Sequence, residues 1–118
     1  MRRAKKLGRA ADHYHPPREL PGPPNQSQLR DAAAMFRALG DPARLRLLTR
    51  LAHSEICVTE LAELENEQMT TVSARLRALF SARLVKRRRE AKHIYYSLAD
   101  DHVLQMVHGA IEHAAERE

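Results

Sequence analysis

Residues 57–82, "CVTELAELENEQMTTVSARLRALFSA", decide the fold. Apolar residues recur at helical spacing on both sides of Asn66. Asparagine tolerates the left-handed conformation that ends a helix, so the pattern predicts one helix from a Thr59 cap to Asn66 and a second helix after it. The apolar residues expected to face inward from the second helix are Met69, Val72, Leu76 and Leu79. Two helices joined by a tight turn, the second carrying hydroxyl and guanidinium groups outward, are typical of a helix-turn-helix.

A change of period follows the second helix. "RLVKRR" (residues 83–88) and "HIYYSL" (residues 93–98) alternate apolar and polar positions, and the polar residues 89–92 connect them. This pattern predicts a β-hairpin, or wing, directly after the second helix. Residues 83–92 hold six Lys or Arg and one Glu, which indicates a surface that meets a polyanion.

Helical patterns also flank this motif. Residues 29–40 end at Gly40, a common C-terminal signal. The stripe that this first helix is expected to bury consists of Leu29, Ala32, Ala33, Phe36 and Leu39. Asp41 and Pro42 suit an N-cap and a first helical position, and a last helix is predicted from Asp101. The order of four helices, two strands and a helix predicts a mainly α fold with a β-hairpin wing, a winged helix-turn-helix.

Composition indicates the domain organisation. Residues 1–28 hold five of the six prolines and a basic start, so we expect a flexible N-terminal arm there. Residues 29–118 are expected to form one winged helix-turn-helix domain for DNA binding and dimerisation. No apolar run approaches the roughly 20 residues of a membrane span, so no membrane partner is expected. Cys57 is the one cysteine, which excludes an intrachain disulfide and suits a reducing cytoplasm.

Double-stranded operator DNA is the predicted partner. A helix fits the major groove, about 12 Å wide, where arginine pairs with guanine edges and hydroxyls reach several acceptors. The DNA-binding residues expected on the second helix of the motif are Gln68, Thr70, Thr71, Ser73, Arg75 and Arg77. Those expected to hold phosphates from the wing are Arg87, Arg88, Arg89 and Lys92. Phosphate contacts give affinity and salt dependence without sequence choice. A solvated surface is the alternative interpretation of the charge run alone.

The last helix carries more apolar surface than the winged domain needs. Its apolar positions, spaced by three and four, are Val103, Met106, Val107, Ala110, Ile111 and Ala114. Because an exposed stripe of this kind is costly, the sequence predicts a homodimer through the terminal helices.

Four potential metal ligands lie on or beside that helix: Asp100, His102, His113 and Glu116. Eleven residues separate the two histidines, which places them at nearly the same angle around the helix but about 16 Å apart along it. Zinc holds its ligands at about 2.0–2.2 Å, so one chain cannot bring both to one ion. An antiparallel partner can, by setting Asp100 and His102 beside His113 and Glu116 of the partner subunit. The spacing therefore predicts two equivalent N₂O₂ sites for Zn(II), with Co(II) as a surrogate. Asp100 alone also suits an N-cap.

Other functions fit parts of the pattern. A zinc hydrolase needs an open coordination position for water, whereas these four ligands close the shell. Neither an enzyme nor a small organic substrate is therefore expected. A thiol- or redox-responsive repressor acting through Cys57 is an alternative on the same scaffold. A metal-stabilised DNA-binding dimer without metal regulation is another, and both stay open at this point.

Three stretches resemble the ArsR/SmtB family of bacterial metal-sensing repressors: "FRALGDPARLRLLTRLAHSEICVTELAE" (36–63), "TVSARLRAL" (71–79) and "LVKRRREAKHIYYSLADDHV" (84–103). The end of the chain reproduces the D-x-H…H-x-x-E pattern of the zinc site on the last helix in that family. The resemblance, over roughly residues 29–117, implies an apo dimer that represses genes for metal efflux or sequestration. It also implies that metal binding at the dimer interface lowers the affinity for DNA.

The resemblance also suggests a second metal site. Many members of that family carry a Cys-x-Cys pair where this chain has Cys57 and Thr59, so a site of three thiolates in one chain is excluded. Some members complete such a site with ligands from the N-terminal arm. The corresponding set here would be His13, His15, Cys57 and Glu60. The alternative is that Cys57 is a small buried hydrophobic residue.

Overall fold

The computed structural model describes residues 22–116. Its helices and strands, in chain order, are α1 (Gln26–Leu39), α2 (Pro42–Leu51), β1 (Ile56–Cys57), α3 (Val58–Glu65), α4 (Met69–Ser81), β2 (Val85–Glu90), β3 (His93–Leu98) and α5 (Asp101–Ala115). The predicted winged helix-turn-helix is confirmed, with α3 and α4 as the helix-turn-helix and β2 and β3 as the wing. No helix within the described range is both long enough and apolar enough to cross a membrane.

Side-chain caps set where the helices begin. The side chain of Asp41 accepts a hydrogen bond of 3.0 Å from the Arg44 amide, and Asp100 accepts one of 3.1 Å from Val103, so both predicted N-caps are confirmed. Helix α1 begins three residues earlier than the pattern predicted, because Asn25 and Gln28 form a reciprocal capping box.

The turn of the helix-turn-helix is set by Asn66. Its φ of 55° and ψ of 47° place it in the left-handed region, as the sequence predicted. The predicted Thr59 cap is wrong, because α3 begins at Val58 and Cys57 occupies the N-cap position without a side-chain hydrogen bond. The helix is therefore held at its start by tertiary contacts: Val58 and Leu61 are both buried.

The hairpin is one part of a three-stranded antiparallel sheet in the order β1–β3–β2. Strand β1, which the sequence did not predict, pairs Ile56 with Tyr96. The connection between β2 and β3 is shorter than predicted, because the register runs to the pair Glu90 and His93 and leaves two residues in the turn. Ala91 has a φ of 56°, since a two-residue hairpin turn requires positive φ.

The core lies where α2, α3, α4 and the sheet meet. Its largest fully buried side chains are Leu47, Leu48, Leu61, Leu76, Leu79, Leu84 and Val72. The inward positions predicted for α4 are thus confirmed except for Met69, which is 49% exposed because the first residue of α4 projects beyond the core. A buried carboxylate joins α2 to α3: Glu65 accepts hydrogen bonds from Arg46 (2.9 Å) and Arg50 (2.6 Å).

Within the single chain, the predicted buried stripe of α1 is wrong except at Leu39, which packs against the core. Phe36 is 68% and Leu29 is 52% exposed, and α1 packs through Met35, Ala38 and Leu39. Helix α5 is also only partly covered by the rest of the chain. Its first half buries Val103 and Val107, whereas its second half leaves three predicted stripe residues exposed. These are Ala110, Ile111 and Ala114. Two terminal helices therefore present apolar faces that this chain does not cover.

Candidate nucleic-acid interface and metal half-sites

The outer face of α4 is a row of residues at helical spacing. Thr70, Ala74, Arg77 and Ser81 follow one another at intervals of three or four, and all are exposed. Val72, Leu76 and Leu79 anchor the opposite face in the core, which fixes the direction of the row. Gln68, at the N-cap of α4, is also exposed. The row offers two hydroxyls and a guanidinium to a groove, which is the chemistry that base edges accept.

Not all predicted DNA-binding residues of α4 share that face. Thr71 and Ser73 are partly buried on the flanks of the helix. The side chain of Arg75 is 25% exposed, and its Nη2 lies 3.7 Å from a Glu67 carboxylate oxygen. Its Nη1 is buried and has no hydrogen-bond partner among residues 22–116. Arg75 is therefore directed toward the turn before α4, whereas Arg77 extends outward.

The wing divides its arginines between two faces. Arg87 is opposite the buried Tyr96 in the register, and its guanidinium lies 3.9 Å from the ring centre of Phe80 on α4. Arg89 shares that face, two residues further along β2, and is exposed. Stacking on Phe80 holds the Arg87 charge beside the recognition helix. Lys92 lies exposed in the turn.

Arg88 points to the other face and has three neighbours of its own. Its Nε donates to both carboxylate oxygens of Glu55 at 2.9 Å, its Nη1 donates to Glu90 at 2.7 Å, and its guanidinium lies 4.7 Å from the ring centre of Tyr95. The hydrogen bonds to Glu55 and then Glu90 raise the pKa of Arg88 above its ordinary value. A phosphate would have to compete with two carboxylates for this arginine.

Helix α5 carries an imidazole–carboxylate pair at each end. At its start, His102 Nδ1 lies 3.7 Å from Asp100 Oδ1, and at its end His113 Nδ1 lies 3.5 Å from Glu116 Oε1. All four side chains are well exposed, from 57% for Asp100 to 88% for His102. The structure thus brings the four predicted ligands together as two pairs and not as one cluster. Within the described part of the chain, no group of three or more His, Cys, Asp or Glu could hold a metal.

A third histidine on α5 belongs to neither pair. His108 is 69% exposed, and its Nε2 lies 3.3 Å from Glu112. It sits between the two ends of the helix and is a surface residue.

The second predicted metal site is only partly described. His13 and His15 lie outside the described residues. Cys57 is partly buried and lines a cavity of about 140 Å³ with Ser73 and His93, whereas Glu60 is exposed in the first turn of α3. The second site stays a prediction.

Sequence reasoning missed the partners that orient the arginines. Glu55, Glu67 and Phe80 each hold a guanidinium, yet none lies in a motif. The one available signal was charge: Glu67 follows the acidic α3 in the turn immediately before the basic α4.

The fold and the basic α4 and wing surfaces define a winged helix-turn-helix regulator that binds DNA. Residues 41–87 match the family described as bacterial regulatory protein, arsR family. A transcriptional repressor SmtB homolog of Synechocystis sp. is 45% identical over 89 residues, which cover 75% of this chain and 67% of that protein. A cadmium resistance transcriptional regulatory protein CadC homolog of Staphylococcus aureus is 38% identical over 87 residues, covering 73% and 72%.

A solved structure of the same fold supports this family assignment. The solution structure of a homodimeric winged helix-turn-helix DNA-binding domain from Mycobacterium bovis, described as a possible ArsR-family regulator, superposes with a TM-score of 0.75 at 32% identity. The superposition covers 83% of this chain and 93% of that one. This chain belongs to the arsR family of bacterial regulatory proteins. Its relatives are transcriptional regulators and not enzymes.

Proposed function

We propose that the chain is a zinc-responsive transcriptional repressor. Its metal-free homodimer binds operator DNA, and Zn(II) at the dimer interface releases the DNA, so that genes for metal efflux or sequestration are transcribed. The observation that carries this proposal is the pair of imidazole–carboxylate groups at the two ends of α5, each 3.7 Å or less across. Each pair is half of a four-ligand shell.

A homodimer would complete both halves at once. The exposed apolar residues of α1 and of the second half of α5 need a cover, and a second copy supplies one of matching length. In an antiparallel arrangement of the two α5 helices, the start of one lies beside the end of the other. A two-fold axis then makes two identical sites, because each contact occurs twice in an isologous interface.

The donor set fits zinc. Two imidazole nitrogens and two carboxylate oxygens are ligands that a tetrahedral Zn(II) site accepts. The Oδ1 of Asp100 caps α5 through the Val103 amide, which leaves its Oδ2 for coordination. Asp100 and His102 of one protomer would hold the ion with His113 and Glu116 of the partner subunit. When bound, zinc would supply a fixed link between the two α5 helices.

Helix α5 is connected to the DNA-binding surface by a short, well-anchored path. Only Ala99 and Asp100 separate it from β3, and the Ala99 amide donates a hydrogen bond of 3.1 Å to the carbonyl of Leu84, beside the start of β2. Val103 and Val107 anchor α5 in the core. A change in the angle between the two α5 helices would therefore move the two winged domains as bodies. Recognition helices can enter successive major grooves only when their separation matches about 34 Å.

Regulation requires that the ion bind the two arrangements of the dimer unequally. A coupling free energy of about 3 kcal/mol corresponds to about 150-fold in DNA affinity. The test is fluorescence anisotropy on a duplex from the chain's own upstream region, first with chelator and then with zinc. We expect a loss of affinity with zinc in the unaltered protein and no loss in His102→Ala or His113→Ala.

His108→Ala is the matched control, since it removes an exposed histidine from the middle of the same helix. It should keep the full zinc response. A Co(II) titration monitored by visible absorption checks that the bound metal has four ligands. The absorption of four-coordinate Co(II) should be lost in both His102→Ala and His113→Ala. Zinc binding that leaves DNA affinity unchanged would make the metal structural. If zinc still releases DNA from His102→Ala, this site is not the sensor. Cys57 would then be the candidate, and Cys57→Ser tests it.

A further inference from the structure

An open notch lies on the surface between α1, α2 and the C-terminal end of α4. Its volume is about 280 Å³, and two arginines, Arg37 from α1 and Arg44 from α2, line it together with Ser81 of α4. Its other lining residues are alanines, so the two arginines and Ser81 supply the polar side chains of the notch. None of the three polar residues has a role in the metal half-sites or in the wing.

Arg44 has a hydrogen-bond donor without an acceptor. Its Nε is buried and has no partner among residues 22–116. The carboxylate of Asp41 is 3.9 Å away, too far for a hydrogen bond, and its Oδ2 already accepts the backbone amide of Arg44 at 3.0 Å. Because the Arg44 side chain is 28% exposed, a small turn of its guanidinium toward the notch would give this donor an acceptor from outside the chain.

The notch is continuous with the DNA-facing row of α4. Ser81 is the last member of the row that begins at Thr70, eleven residues earlier, which is about 16 Å along the helix axis. The major groove is about 12 Å wide. If the first turns of α4 lie in the groove, its other end emerges beside the sugar–phosphate backbone, where the notch opens.

We propose that Arg37 and Arg44 form a phosphate clamp that holds the DNA backbone at the C-terminal end of the recognition helix. This inference rests on the proposed binding of operator DNA. Guanidinium groups bind phosphate oxygens in a fork geometry and remain charged at every physiological pH. The clamp and the wing lie on different sides of α4, so the two together fix the helix in the groove without choosing a sequence.

The test is the salt dependence of DNA binding, which counts phosphate contacts. Dissociation constants of the full-length protein are measured at several salt concentrations on the upstream duplex and on a scrambled duplex. The variants are Arg37→Gln, Arg44→Gln and the double substitution. The logarithm of the association constant falls linearly with the logarithm of the salt concentration. Each lost contact is expected to make this slope less steep by about 0.9, equally on both duplexes. Arg30→Gln is the charge-matched control, since it removes an exposed arginine of α1 that does not line the notch, and it should keep the slope.

Several results would overturn the clamp. One is a double variant with the same slope as the unaltered protein; another is a loss confined to the upstream duplex. Arg37→Gln alters an exposed side chain. Arg44→Lys retains the charge and should restore most of the slope, so a folding defect in Arg44→Gln does not obscure the result.

An NMR titration with inorganic phosphate separates the sources of the anion. If phosphate shifts the arginine Nε–H signals but the double variant keeps its DNA slope, the notch binds free phosphate and the clamp is wrong. An unaltered protein that binds neither duplex would refute the proposed function as well.

Discussion

Arg88 and Glu55 are joined by two hydrogen bonds of 2.9 Å, from one guanidinium nitrogen to both carboxylate oxygens. The two residues are 33 positions apart, and the contact ties the wing to the loop before β1. It also adds a second carboxylate, beside that of Glu90, to a wing that is otherwise basic. The wing therefore presents fewer available cations to DNA than its sequence indicates, and we expect Arg87 and Arg89, on the face toward α4, to be its main phosphate contacts.

Removing the carboxylate of Glu55 should strengthen DNA binding. In Glu55→Gln the Arg88 side chain loses its strongest competitor for phosphate, so we expect tighter binding and a salt slope steeper by up to about 0.9 per protomer. Both residues are half-exposed or nearly so, and the melting temperature should change little. Glu112→Gln removes the same charge from α5 and should leave DNA binding unchanged. Weaker binding in Glu55→Gln would mean that Glu55 positions the wing and that its competition with DNA is unimportant.

The exposed apolar face of α5 should decide the oligomeric state. Ile111→Glu places a charge on that face, and in the antiparallel arrangement each of the two carboxylates would be buried against the apolar residues of the other α5 helix. Because burying these carboxylates unpaired is costly, we expect a folded monomer by sedimentation equilibrium. Leu64→Glu is the control: Leu64 on α3 is 45% exposed against 43% for Ile111, but lies outside both terminal helices. A dimer that survives Ile111→Glu but not Leu64→Glu would place the interface on α3.

Two substitutions should separate the structural and metal-binding roles of Asp100. Asparagine caps helices about as well as aspartate, so Asp100→Asn should keep the hydrogen bond to the Val103 amide and change stability by less than about 0.5 kcal/mol. Asp100→Ala should cost about 1 kcal/mol, since the cap is lost. Both should weaken zinc binding. Urea denaturation in chelator and competition with a zinc-sensitive dye measure the two effects. If Asp100→Asn binds zinc as tightly as the unaltered chain, Asp100 is a cap only.

Local signals predicted most of the fold, whereas contacts distant in sequence were not predictable. Asn66, Asp41 and Asp100 each set a helix boundary through their own backbone or the next turn, so residue type and spacing sufficed. Strand β1 was missed because two residues carry no period, and the partner of Ile56 lies forty positions away at Tyr96.

The apolar stripe of α1 shows a different limit. Periodicity marked Leu29 and Phe36 as residues that need cover, and the single chain leaves both exposed. A pattern of apolar residues indicates which side chains need to be buried, but not whether the same chain or a second molecule covers them. The proposed metal half-sites show the same limit. The spacing of His102 and His113 predicted that one chain could not bring both to one ion, and α5 holds the two imidazole–carboxylate pairs at its opposite ends. The charges of Arg75 and Arg88 were visible, but the carboxylates that hold them were not.

The buried carboxylate of Glu65 should make stability depend on pH. Its side chain is 1% exposed; burial acts to raise its pKa, but the hydrogen bonds from Arg50 and Arg46 outweigh burial and hold the pKa below the ordinary 4.5. A carboxyl whose pKa is lower in the folded state contributes stability above its unfolded pKa and loses it as pH falls through the folded value. Glu65→Gln should therefore destabilise the chain by about 1–3 kcal/mol near neutral pH, since hydrogen bonds to a charged group are lost.

The difference between Glu65→Gln and the unaltered chain should shrink as pH falls below 4.5, because protonation removes the same charge from the unaltered chain. Urea denaturation at a series of pH values between about 3 and 7 measures this. Glu63→Gln, an exposed position two residues earlier on α3, is the control and should follow the unaltered chain at every pH. A destabilisation by Glu65→Gln that stays constant down to about pH 3 would show that packing of the side chain, and not its charge, joins α2 to α3.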